Sequence, residues 1–226
     1  MHLQAIYAIL QGDASAIVST TLRRPRALGE GGVYGSYDAR YEVVIVKDVV
    51  EKDGGNGEGV KIVRPEGNVS MFEAVKKGEI DATWVFVPWE GVEAELEGKE
   101  VNYFRMEDYG IKYGYSHVIA RKVGEGGLDD DVLRRFVKAT RLGYEVALSD
   151  VKSAVEALQA HCRPQRSEEM LSKSQERINE FYGDGSQLGT ISEERWKTWI
   201  AWLEEKKIME PDAVEVEKLF TNEFHS

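Results

Sequence analysis

The run Ala82 to Val87, ATWVFV, closed by Pro88, constrains this chain more than any other stretch. It carries almost no polar alternation, so neither face of a strand built from it looks to water. Such strands sit in sheets that helices cover on both sides. Pro88 lacks an N–H and pre-sets the backbone angle of a first helical turn. The reading is therefore a buried strand over 80–87 that feeds into a helix ending at Gly98. An α/β chain is the class this implies.

The flanking segments fit. Residues 16–19, 33–35 and 60–65, VNYFRM near position 103 and YSHVIARK over 115–122 read as strands. Tyr41, Val44, Ile45 and Val49 share one helical face and predict a helix over 38–53, stopped by DGGNGEG. Ser70 and Glu73 have capping-box spacing, and Gly78 supplies the left-handed stop. One mainly parallel sheet from segments near 33, 61, 83, 103 and 118 is expected. After Gly127 the period becomes helical throughout, with helices over 129–149, 151–161, 167–182, 192–206 and 211–220. Within these, Trp196, Trp199, Ile200 and Leu203 fall on one stripe, which reads as packing.

Composition removes several function classes. The 226 residues suffice for one large α/β domain or two lobes. A net charge of −11 argues against nucleic acid and anionic lipid as partners. No apolar run is long enough for membrane insertion. The opening MHLQAIYAIL lacks the basic start and cleavage site of a secretion signal, so a cytoplasmic location is the default expectation. Cys162 is the single cysteine, and the His at 2, 117, 161 and 225 have no ligand spacing, so neither a disulfide nor a metal site is expected.

Phosphate-loop, zinc-hydrolase and nucleophile-elbow motifs are missing. GEGGVYG is not a dinucleotide loop, because Tyr34 stands where the third Gly is needed. No cofactor and no catalytic residue follow from spacing. What remains are strand ends, where open α/β sheets hold ligands. Gly35-Ser36-Tyr37 reads as a turn opening a helix; Ser36 is either a plain cap or part of a cradle for an anion or carbonyl oxygen. Gly67-Asn68-Val69-Ser70 is a second such turn. Trp84, Trp89 and Glu90 put aromatic surface and a carboxylate around a third strand end. Tyr109, Tyr113 and Tyr115, in EDYGIKYGYSH, offer flat faces with hydroxyls, suited to a planar heteroaromatic ligand.

Three segments in order, LQAIYAILQGDASAIVS, GVYGSYDARYEVVIVKDVVEKDGG and SMFEAVKKGEIDATWVFVPWEGVEAE, with LFTNEFHS at the close, resemble one superfamily. It joins aliphatic-sulfonate binding proteins, binding proteins for thiamine pyrimidine precursors and the fungal pyrimidine synthase of thiamine biosynthesis. The resemblance implies a type II periplasmic-binding-protein-like fold with ligand in a cleft between two lobes. On that basis 1–18 is a hinge and partial lobe one, 19–119 an α/β ligand-binding lobe two, and 120–226 a helical return to lobe one. It also implies a front part of lobe one that this chain lacks, so weak ligand binding by the chain alone is expected. The synthase's Cys-rich motif is not found; the strand at 115–122 has no Cys. Synthase chemistry is therefore not expected, and Glu93 matches a synthase Glu read as structural.

The expected function is that of a non-catalytic small-molecule solute-binding protein for a thiamine-pyrimidine-like heterocycle. Trp84, Trp89 and Tyr115 would stack on the ring. Glu90 would accept from ring amino groups, and Ser36 with the N–H groups after it, at Tyr37, would hold an anionic or carbonyl substituent. A transporter or a lobe-one segment is the protein partner the resemblance implies. The alternatives are a pyrimidine-synthase-type enzyme and a degenerate interaction domain without ligand.

Overall fold

The structure, a computed structural model, describes residues 2–64 and 70–225. The chain forms two units, one of Met1–Ala14 with Tyr113–Ser226 and one of Ser15–Lys112. In chain order the strands are β1 (His2–Ala8), β2 (Ser15–Ser19), β3 (Val33–Gly35), β4 (Lys61–Val63), β5 (Ala82–Phe86), β6 (Asn102–Phe104) and β7 (Val118–Val123). The helices are α1 (Glu42–Lys52), α2 (Met71–Lys76), α3 (Val92–Leu96), α4 (Asp130–Ser149), α5 (Val151–His161), α6 (Glu168–Asn179), α7 (Glu193–Glu205) and α8 (Val216–Leu219).

The Ser15–Lys112 unit is built on a five-stranded sheet in the order β4-β3-β5-β2-β6. The apolar run does form its centre. Thr83 and Val85 are buried, and the Thr83 hydroxyl is satisfied by the Gly35 carbonyl at 2.8 Å. On one face Ala16, Val18 and Val85 pack with Phe72 of α2 and Ala94 of α3. α1 buries Ile45, Val46 and Val49, and its Glu42 meets the hydroxyl of Tyr34 on β3. Gly35 has a steric reason: a Cβ there would lie 2.4 Å from Ile80 Cδ1 and 2.9 Å from Met71 Sδ.

Two expectations are corrected here. The sheet is mixed rather than mainly parallel. β3 runs parallel to β4 and β5, but β2 runs against both β5 and β6. And the segment at 118 is in the other unit, where β7 pairs antiparallel with β1. β7 alternates between half-buried and exposed positions, the pattern of a strand with one wet face, which an antiparallel ladder tolerates and a buried parallel sheet does not. The helix expected over 38–53 begins only at Glu42, because Asp38 takes a left-handed backbone (φ 62°) inside a tight loop.

In the other unit the β1–β7 ladder carries a core of Ile6 and Tyr7 with Leu133 and Val137 of α4 and Phe224. The helices are capped as their sequences suggest: Asp129, Asp150, Ser167 and Ser192 each accept a first-turn N–H. The buried aromatics of α7 are Trp199 and Trp202, stacked at 4.9 Å; Trp196 is half-buried. Arg195 fans its guanidinium over the carbonyls of Gln11, Tyr113 and Gly114 and lies 4.2 Å from the Tyr115 ring centre. Among the described residues no helix is long and apolar enough to cross a membrane.

Candidate functional site

Because β3, β4 and β5 are mutually parallel, their carboxyl ends emerge along one edge of the sheet. This is where open α/β sheets place ligands. Ser36, Tyr37 and Asp38 follow β3, Arg64 follows β4, and Pro88, Trp89 and Glu90 follow β5. Gly67, Asn68 and Val69 lie outside the described residues, whereas Ser70 caps α2, accepting from Glu73 N at 3.3 Å.

The loop after β3 is organised by Glu42. This carboxylate accepts from the Tyr34 hydroxyl (2.8 Å), the Ser36 hydroxyl (2.9 Å), Tyr37 N (3.3 Å) and Ala39 N (3.2 Å). Ser36 is 2% exposed, and its Oγ also accepts from Asp38 N. So Ser36 neither caps a helix nor faces outward; it holds the turn that presents Tyr37. Tyr37 in contrast is 53% exposed. Arg64 pairs with Asp38 across the strand ends.

After β5 the chain makes a π-helical turn, Val87–Gly91, before α3 begins. Such widened turns recur at functional sites. Glu90 folds back to accept from Phe86 N at 2.9 Å, leaving it half-buried. Desolvation raises its pKa above the ordinary carboxylate value, with the Glu93 charge adding to the rise and backbone N–H bonds opposing it. The Tyr37 phenol is raised too, first by burial and then by the Glu90 carboxylate, the Met71 N–H partly offsetting. The Glu90 charge therefore reaches the Tyr37 phenol, although the two are distant in sequence.

A group whose folded pKa is raised favours the fold below its unfolded pKa and loses that contribution as pH climbs through the folded value. Glu90→Gln should accordingly melt above the parent at pH 7. That advantage should vanish below about pH 4, the ordinary carboxylate range. Thermal melts at several pH values check this; a constant difference across pH would show that Glu90 ionisation does not strain the site.

Of the other candidates, Trp84 is half-buried on β5, opposite Ile17 of β2, and Trp89 is half-buried in the π-turn. Tyr115 falls in the unit containing Tyr113–Ser226, where its hydroxyl accepts from Ser192 N and its ring lies under Arg195. Sequence reasoning missed Phe86, 39% exposed at the end of β5, and Glu42. The exposure of Phe86 had no signal in the sequence, because its apolar run reads as covered on both faces and it shares a face with the buried Ala82.

Glu73, Glu93 and Glu97 converge within 4.8 Å. Lys76 already supplies a cation there, bonded to Glu73 and Glu97 at 2.6 and 2.7 Å. Burial works against its charge, but the two carboxylates outweigh that and raise its pKa. Lys76 thus ties Glu73 of α2 to Glu97 at the end of α3.

A family model described as NMT1/THI5 like matches residues 1–154. The chain belongs to that family. Comparison with curated proteins gives no significant match. Solved structures similar to this NMT1/THI5-like chain include the ligand-binding component of an ABC-type import system from Staphylococcus aureus, crystallised with zinc bound. Its TM-score is 0.69 at 14% identity, over 99% of this chain and 73% of its own. The alkanesulfonate-binding protein SsuA from Xanthomonas axonopodis pv. citri, bound to MOPS, gives 0.70 at 13% identity, over 97% and 73%. The desulfurization enzyme DszB with biphenyl-2-sulfinic acid gives 0.61 at 11%, over 99% and 78%. At these identities the likeness is one of fold, and the fold is the α/β fold of periplasmic binding proteins, as the resemblance implied.

Proposed function

We propose that this NMT1/THI5-like chain is a small-molecule solute-binding protein whose ligand is a planar, amino-bearing heterocycle of the thiamine-pyrimidine kind. The observation that carries the reading is that Tyr37 follows β3 and Glu90 follows β5, so both stand at the carboxyl ends of neighbouring parallel strands. A carboxylate there accepts from a ring amino group, and a protonated phenol donates to a ring nitrogen. Phe86, exposed at the end of β5, and Trp89, half-buried in the turn that carries Glu90, add aromatic surface at the same strand end, which favours an aromatic ligand. Ser36 acts indirectly, by fixing the turn that carries Tyr37. The family description and the fold shared with ligand-binding components of import systems support a binding role.

Calorimetric titration of the whole chain with the hydroxymethyl aminopyrimidine of thiamine tests the reading. Trp89→Ala should weaken binding by about 1–3 kcal/mol, the scale of one lost aromatic stack, while moving the melting temperature little. Absence of binding by the parent, or equal affinity in parent and variant, would remove this assignment.

A further inference from the structure

Glu42 is 3% exposed, yet it opens a helix beside a strand end, where a carboxylate could have turned to water. Four donors surround it: two hydroxyls, from Tyr34 and Ser36, and two backbone N–H groups, from Tyr37 and Ala39. A set made only of donors suits an ionised carboxylate, and it would serve the oxygens of a sulfonate or sulfate equally well. Burial and the Glu42 charge hold the Tyr34 phenol well above its usual pKa, so it remains a donor. The cradle that an incoming anion would use is thus filled by an anion of the chain itself. The surroundings add to the effect. Glu90 adds a second carboxylate at the neighbouring strand end, after β5, and Arg64, the cation that follows β4, is turned onto Asp38.

We propose that Glu42 is a resident anion that sets the ligand class of this strand-end site, excluding sulfonates and other anions and admitting neutral or cationic amino-heterocycles. The proposal deepens the reading above and rests on it for where the ligand sits, but not for what occupies the cradle. An anion seated here must either displace Glu42 from its four donors or sit against its charge in a poorly screened environment.

The test follows backbone amides by NMR while the whole chain is titrated with methanesulfonate and, separately, with inorganic sulfate. In the parent, the Tyr37 and Ala39 amides should not move with either anion. In Glu42→Ala, shown to be folded by its circular dichroism, sulfate should bind at least about tenfold more tightly than in the parent, as expected when charge-assisted donors are freed. The shifts should centre on those two amides. Saturable methanesulfonate binding at Tyr37 and Ala39 in the parent overturns the proposal, as does a folded Glu42→Ala with no gain. Should that variant lose its fold, the parent decides alone: silence of both amides at concentrations where the pyrimidine saturates supports Glu42 as the barrier. A parent that ignores the pyrimidine sinks the function proposed above, while the two amides still judge Glu42.

Discussion

Gly189→Ala is expected to unfold the Met1–Ala14 and Tyr113–Ser226 unit well below the parent's melting temperature. Gly189 has φ 79°, in the left-handed region, and its backbone bridges Ala8 of β1. A Cβ would fall 2.2 Å from Tyr7 Cε2 and 2.7 Å from His225 Cε1. Tyr7 cannot retreat: it is 0% exposed and stacked between Tyr144 at 5.8 Å and His225 at 5.7 Å. Backbone strain costs roughly 1–2 kcal/mol and over-packing roughly 1–3 more, so a loss of about 3–4 kcal/mol, or on the order of 10 °C, is expected. Gly98→Ala is the control. Its φ of 65° carries the same strain, but no atom lies within 4 Å of the added methyl. Equal losses in the two variants would show that the Tyr7 contact contributes nothing.

Trp199→Ala should cost as much by the opposite mechanism. Trp199 is 6% exposed, stacked on Trp202 with an interplanar angle of 8°, and met edge-on by Tyr113 at 4.9 Å. Gly114 lies so close that a Cβ there would stand 2.8 Å from the indole. Removing the ring leaves a cavity walled by aromatic groups that are themselves pinned, and buried Trp truncations cost about 3–5 kcal/mol. Denaturant unfolding measures it. The contrast with Trp89→Ala is the informative part, since that change should affect binding and leave the denaturation midpoint nearly in place. If Trp199→Ala costs no more stability than Trp89→Ala, the division of the tryptophans between packing and binding is wrong.

How far the chain could be read in advance depends on the range of the interaction. β5, the Ser70 cap of α2 and the starts of α4, α5, α6 and α7 are local, and apolar period and cap chemistry gave them away. Strand direction was not legible. Nothing in the composition of β2 says that it runs against β5, because that depends on the path of the connecting chain. The partner of β7 was hidden for the same reason, since β1 lies more than a hundred residues earlier in the sequence. At the site, Trp89 and Glu90 were visible as unusual residues at a strand end. Glu42 was not, because a Glu on a predicted helix is ordinary until Tyr34 and Ser36 are seen to converge on it. Ser36 was given an outward role for want of that same contact.

The arrangement of the two units also sets an order of events during synthesis. Ser15–Lys112 is one uninterrupted stretch, so all of its strands have left the ribosome once Lys112 is clear of the exit tunnel. The other unit cannot follow that schedule. Ile6 and Tyr7 are made before that stretch, but β7, Gly189, Phe220 and Phe224, which cover or pair with β1, are made much later. The nascent chain therefore carries an apolar strand without its partners while a finished unit forms behind it. Such an exposed edge is the kind of feature that holdase chaperones bind and that promotes aggregation. A chain refolded from denaturant has every partner of β1 present from the first instant and is spared that wait.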